Sequence, residues 1–159
     1  FEYSDEYNES NSIEKFSNGT PHILSLSTLK TSLDITIEAT TEELNIKSAK
    51  LFDYFEYIYT NELKKLNFEL LTPIDKSKRG SHIAISHKEA WRISKCLINP
   101  IDKGKLSIII DFRPKNIIRI ALTPLYTSFD NIYSISRRLI NIVNEEEYKH
   151  KDYSMRGVT

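Results

Sequence analysis

Arg119 sits at the centre of the run Ile117-Ile118-Arg119-Ile120-Ala121. A guanidinium among aliphatic side chains must find a partner or a ligand, because an uncompensated charge is costly to withdraw from water. Period-two alternation sends Arg119 to the face opposite Ile118 and Ile120. On that face it is an outward arginine on a half-exposed sheet, an arginine paired internally with Asp111, or a fork awaiting a carboxylate. Asp111 opens the preceding segment Asp111-Phe112-Arg113-Pro114, so a second guanidinium, that of Arg113, stands close by in sequence. The residues alone leave all three readings open.

A second place with chemical potential is Asn18-Gly19-Thr20-Pro21, which puts a hydroxyl and free backbone amides just ahead of a helical pattern. Such a segment suits the rim of an anion or cofactor site, or is a plain helix entry with Thr20 as its cap. The histidines give less. His82 and His87 are five apart, His22 and His150 are distant, and none stands at ligand spacing from a cysteine, so no metal is expected. Cys96 shares the apolar face of its segment with Ile93 and Leu97, which makes it a packed thiol. No Gly-x-Gly-x-x-Gly and no Gly-Lys-Ser/Thr phosphate loop occurs.

The elements that must position these residues are readable from periodicity. Leu26, Leu29, Leu33 and Ile37 recur at three- and four-residue steps and predict an amphipathic helix from Leu24 to about Ala39. Thr40 with Glu43 has capping-box spacing and opens a second helix, with Leu44, Leu51, Phe52, Phe55, Ile58 and Tyr59 on one face, to about Leu66. Phe68 to Leu71 reads as a short strand, Asp75 to Gly80 as a charged loop, and His82 to Ser86 as an alternating strand. Ser86 with Glu89 predicts a capped helix through Trp91, Ile93, Leu97 and Ile98, ended by Pro100 and the turn Asp102-Lys103-Gly104-Lys105. Leu106 to Asp111 and Ile117 to Ala121 are β-rich runs. Ser128 caps a last helix with Ile132, Ile135, Leu139, Ile142 and Val143 on its core face, and the tail from Glu145 is polar and expected to be mobile.

This order predicts an α+β architecture, a small sheet with helices packed against it, preceded by an arm and long helices. The expected organisation is residues 1–21 as an extended arm and rim segment, 22–66 as two linking helices, 67–144 as the α+β domain, and 145–159 as a polar tail. At 159 residues, 40% apolar and 28% charged, the chain has enough material for a real core and is too apolar for disorder. Its net charge of zero excludes a simple polybasic nucleic-acid binder. The zero is an average: residues 1–75 carry net −8 and residues 76–119, which hold Arg119, carry net +8. No uninterrupted apolar run approaches membrane-spanning length, Ile108-Ile109-Ile110 being typical. One cysteine cannot form an internal disulfide, so a reducing, cytoplasmic compartment is expected. The chain starts at Phe1 and its only methionine is Met155, as expected of a piece of something longer.

Five segments, in order, carry a family resemblance. They are Phe16-Ser17-Asn18-Gly19-Thr20-Pro21-His22-Ile23-Leu24, Leu71-Thr72-Pro73, Arg79-Gly80-Ser81-His82, Asp111-Phe112-Arg113, and Ile118-Arg119 leading into Thr123-Pro124-Leu125-Tyr126-Thr127-Ser128-Phe129. Together they resemble the C-terminal part of the kynureninases over almost the whole chain. The resemblance implies the small domain of a fold-type-I enzyme of the aspartate aminotransferase fold, dependent on pyridoxal 5'-phosphate and homodimeric. Such enzymes cleave kynurenine or 3-hydroxykynurenine to alanine and an anthranilate, in tryptophan catabolism.

By the resemblance, Arg119 grips the substrate α-carboxylate, so that the Cα–H bond stands perpendicular to the cofactor ring. Gly19 and Thr20 lie at the cofactor or partner-subunit rim. Arg79, Ser81, His82, Asp111 and Arg113 shape and support the site. The lysine that carries the cofactor is expected upstream of Phe1, which leaves this piece inactive by itself. Departures from the family pattern are a longer loop at Asn99 to Lys105, Lys115-Asn116 after Pro114 where an acidic residue is common, and Thr127 in place of asparagine. Two other readings stay open: a stand-alone, non-catalytic amino-acid-binding or dimerisation module, and a fragment of another enzyme of the same cofactor fold.

Overall fold

The computed structural model describes residues 5, 6 and 8–150. The chain divides into two compact units, residues 1–38 and 39–159. Parts of the expected arm and tail lie outside the described residues.

In the first unit, Ser12 caps a 3-10 turn at Ile13–Phe16, its hydroxyl accepting the Glu14 N–H at 3.2 Å. Helix α1 (Ile23–Ala39) follows. Thr20 is not its cap: the His22 carbonyl accepts the first helical bond, from the Leu26 N–H at 3.0 Å, and the Ser25 hydroxyl lies 3.1 Å from His22 Nδ1. Pro21 contributes no N–H and biases Thr20 away from helical geometry, so the helix begins beyond both. The predicted apolar stripe is present, but Leu26, Leu29, Leu33 and Ile37 are all exposed and α1 buries none of its residues.

The second unit opens with α2 (Thr41–Asn61), where the Thr40 hydroxyl accepts the Glu43 N–H at 3.3 Å, as the spacing predicts. Its buried face is Ser48, Leu51, Phe52, Phe55 and Ile58. The helix stops short of the expected Leu66. A 3-10 turn at Leu63–Leu66 replaces its last turn, closed by Asn67 in the left-handed conformation at φ 62°. The tighter turn accompanies full burial of Leu63 and Phe68.

Four strands form one antiparallel sheet in the order β1-β2-β4-β3: β1 (Glu69–Leu70), β2 (His82–Ser86), β3 (Asp111–Arg113) and β4 (Ile117–Ala121). The register sets Ile83 opposite Ile120, Ala84 opposite Arg119 and Ile85 opposite Ile118, while Asp111 faces Arg119 from the other side. One face is therefore a block of four buried isoleucines that joins α2, α3 (Ala90–Ile98) and α4 (Phe129–Asn144) in one core. The α+β class is as the element order predicts.

Several local expectations fail for identifiable reasons. Residues 106–110 are not strand. The Ile108 N–H bonds the Leu97 carbonyl at 2.8 Å and the Ser107 hydroxyl bonds the Ile98 carbonyl at 2.6 Å. The segment thereby satisfies the open carbonyls at the end of α3, and pairing with β4 begins only at Asp111. Ser86 does not cap α3: it ends β2 with its hydroxyl donating to Glu69 at 3.2 Å, and His87 Nδ1 accepts the Glu89 N–H at 3.0 Å where the helix starts. Ser128 does cap α4, in a reciprocal box with Asn131.

The polar segment after α4 is packed as far as it is described. Glu147 and Tyr148 are buried, and both Glu147 oxygens accept from the Arg138 guanidinium at 2.7 Å. The Ile101 N–H donates to the same carboxylate at 3.3 Å, and Lys105 lies 3.4 Å away. The Arg138 hydrogen bonds, foremost, hold the Glu147 carboxyl down at about 2, below the ordinary 4.5. A folded-state value below the unfolded one means the stabilisation is complete above pH about 4.5 and is lost as pH falls toward 2. Glu147→Gln, which leaves Arg138 buried with half its partner, is expected to cost about 3–5 kcal/mol and to flatten stability against pH between 4.5 and 2. Denaturant titrations across that range check both.

Candidate functional site

An open cleft of about 900 Å³ lies beside the sheet in the second unit. Arg119, Asp111, His82 and Ala121 line it from the strands, residues 106–110 form one wall, and Tyr126, Thr127, Asp130 and Asn131 contribute from the entry to α4. Arg119 comes to the cleft because its neighbours Ile118 and Ile120 are committed to the core. Its side chain is 42% exposed, yet Nε is fully buried, 3.1 Å from Asp111 Oδ2. That contact is an ion pair and not an aligned hydrogen bond. Arg113 Nε donates to the same oxygen at 2.9 Å. One carboxylate thus faces two guanidiniums, and the trio keeps one positive charge. Among the described residues the Arg119 guanidinium donates no hydrogen bond, which leaves its terminal nitrogens open to a ligand.

The other expected site residues fall in different places. His82 lines the cleft, exposed, at the end of β2 opposite Ala121. Ser81 is exposed, and its carbonyl accepts the Leu122 N–H at 2.8 Å, extending the β2–β4 ladder by one step. Arg79 turns to α2. Its guanidinium stacks 3.6 Å from the Phe52 ring centroid, pairs with Asp53 at 3.3 Å and donates to the Ile74 carbonyl, leaving the side chain 5% exposed. It does not line the cleft. Gly19 and Thr20 belong to the first unit and are exposed. Nothing lies within 4 Å of a side chain placed at Gly19.

His87 is buried against Phe68, with ring centroids 4.8 Å apart, and burial pushes its pKa below 6.5. Among the described residues no three His, Cys, Asp or Glu side chains gather as metal ligands would. Asp130 and Asn131 were missed by sequence reasoning as cleft residues. The signal available was Ser128 itself, since a cap fixes which residues form the first helical turn after the Thr-Pro-Leu-Tyr-Thr segment.

The second unit is thus a small antiparallel α+β domain with an arginine open to a cleft. The model of the kynureninase C-terminal domain matches residues 44–139, and the chain belongs to that family. It is 40% identical over 131 residues to the kynureninase of Geobacillus thermodenitrificans, covering 82% of this chain and 29% of that protein. It is 38% identical over 132 residues to that of Bacillus mycoides, covering 83% and 29%. With the kynureninase of Shouchella clausii the identity is 39% over 134 residues, covering 84% and 30%. The chain spans under a third of the length of these curated relatives.

Membership of this family implies pyridoxal phosphate in the whole enzyme. Among the described residues no lysine lines the cleft. Its donors therefore fit the carboxylate end of an amino acid and not the covalent seat of a pyridoxal aldehyde. Arg79→Ala is expected to lower stability by about 1–2 kcal/mol through loss of the Phe52 stack and the Asp53 pair. Ligand affinity of the enzyme should stay unchanged; denaturation and binding titrations on the same sample separate the two.

Proposed function

We propose that this chain is the carboxylate-anchoring part of a kynureninase that hydrolyses kynurenine or 3-hydroxykynurenine to alanine and anthranilate or 3-hydroxyanthranilate, working as a cytoplasmic, pyridoxal-phosphate-dependent homodimer. The observation that carries the proposal is the Arg119 fork, open at its terminal nitrogens in a cleft of about 900 Å³. A carboxylate accepts two parallel N–H bonds from such a fork, and the pairing fixes orientation as well as position. Orientation is what the reaction needs: the bond to be broken at Cα must be held at a set angle to the group that takes up its electrons. When bound, pyridoxal phosphate supplies that electron sink.

Within this chain the work is binding. Arg119 anchors the carboxylate, and the apolar stretch Ile108-Ile109-Ile110 forms one side of the cleft. His82, Tyr126 and Thr127 offer polar groups to the rest of the substrate. Arg113 adds a second positive charge beside the anchor. Ser81 supports the strands through its backbone, and Arg79 serves packing against α2. Gly19 and Thr20 form a rim toward the cofactor or the other subunit.

A charge-assisted hydrogen bond is worth roughly 1.5–3 kcal/mol, so Arg119→Ala in the whole enzyme should lower kcat/KM by about 10–150-fold while cofactor absorbance stays intact. Arg119→Lys keeps the charge and loses the fork, and should recover only part of that loss. Steady-state kinetics with kynurenine decides; unchanged constants in Arg119→Ala overturn the proposal. The chain by itself is expected to give no turnover and no visible absorbance band on addition of pyridoxal phosphate, a difference spectrum being the check.

A further inference from the structure

The open fork of Arg119 raises a question that the carboxylate-anchoring proposal does not answer. Arginine carries four rotatable side-chain torsions, and one rooted in a strand, with 42% of its surface exposed, has many ways to point. A fork that wanders loses the orientation for which it is useful. Only one edge of this guanidinium is fixed: Nε is buried and held 3.1 Å from Asp111 Oδ2. Asp111 is Arg119's cross-strand partner in the β3–β4 ladder, so the backbone register delivers the carboxylate to that edge. Opposite charges directly across an antiparallel pair attract, and here the attraction acts at the inner nitrogen while the two outer ones are left free.

A lone aspartate so placed would also cancel the charge that draws in an anion. The second guanidinium removes that objection. Arg113 lies on the same strand face as Asp111, two residues on, and donates to the same oxygen at 2.9 Å. The three side chains therefore keep a single positive charge, and the carboxylate orients Arg119 without neutralising the site.

We propose that Asp111 is a positioning residue: it holds the inner edge of Arg119 so that the terminal nitrogens present a two-pronged fork to the substrate carboxylate, with Arg113 as its counter-charge. This rests on the reading of Arg119 as the carboxylate anchor. It separates two jobs that one arginine cannot do alone, grip and aim.

The test uses the full-length holoenzyme that carries this chain, with Asp111→Asn, Arg119→Ala and the double variant. Three ligands are compared: kynurenine, L-alanine (carboxylate without ring) and 2-aminoacetophenone (ring ketone without carboxylate). Asp111→Asn is expected to raise KM for kynurenine and Kd for alanine about tenfold, to lower kcat as the α-carboxylate loses its set orientation, and to leave 2-aminoacetophenone binding unchanged. In the double variant the loss should be no larger than in Arg119→Ala alone, because Asp111 acts only through Arg119. Should the asparagine variant fail to fold, Asp111→Ser repeats the comparison. If Arg119→Ala weakens alanine and Asp111→Asn does not, positioning is overturned and the anchor stands. Equal weakening of all three ligands by Asp111→Asn also overturns it, since a general structural role does that. If Arg119→Ala itself changes nothing, the anchor falls and the positioning proposal with it.

Discussion

The register of β4 between β2 and β3 is the constraint on which the rest of this domain depends. Ile118 and Ile120 are buried against the isoleucines of β2 and the three helices, and side chains alternate strictly along a strand. Arg119 thus has no choice of face. A slip of one residue would drive its charge into the core and lift two isoleucines out, an exchange no local adjustment could repair. The same register sets Asp111 on one side of Arg119 and Ala84 on the other. A carboxylate meets one flank of the guanidinium, and a side chain too small to obstruct meets the other. Hydrophobic packing, which has no directional preference of its own, is converted by the pleat into the placement of a charge.

Two arginines of this unit show how partner geometry decides what a guanidinium does. Arg138 and Glu147 meet in a two-bond fork, both nearly excluded from water, and the pair closes α4 onto the segment that follows it. Both terminal nitrogens of that arginine are committed. Arg119 meets its carboxylate through a single inner nitrogen and in poor hydrogen-bond alignment, so its outer edge is unspent. Arg79 is a third case: laid flat on Phe52 and tied to Asp53, it serves packing. Composition counts these residues alike, and only their surroundings tell them apart.

Most of the architecture is legible in the sequence because it rests on local periodicity: four helices and the two central strands follow from the spacing of apolar residues. What escapes depends on contacts distant in sequence. Residues 106–110 look like strand by composition, but the open end of α3 claims their donors first. The cap at Ser86 fails because Ser86 is held in β2 and bonds Glu69. The segment after Glu145 reads as a loose tail, although a clue was present: Arg138 stands on the apolar face of α4 with Ile135, Leu139 and Ile142, and a charge there requires a buried acid. For the site, alternation gave the face of Arg119 and left pairing with Asp111 as one of three open readings. The pairing and its orientation were not legible, since both depend on strand register. The side of the domain to which Arg79 turns was equally hidden, being fixed by its contact with α2.

Residues 106–110 have one further consequence. This wall is pinned at its start by the turn that Glu147 and Lys105 secure and by bonds to the end of α3, and at its finish by entry into β3. Between those moorings Ile109 stands 88% exposed and bears no part of the core. Arg119 and this wall of the cleft are therefore built from separate parts, one welded to the sheet and one slung beside it. Exchanging side chains in the slung part can therefore reshape the cleft while leaving the strand that carries Arg119 as it is.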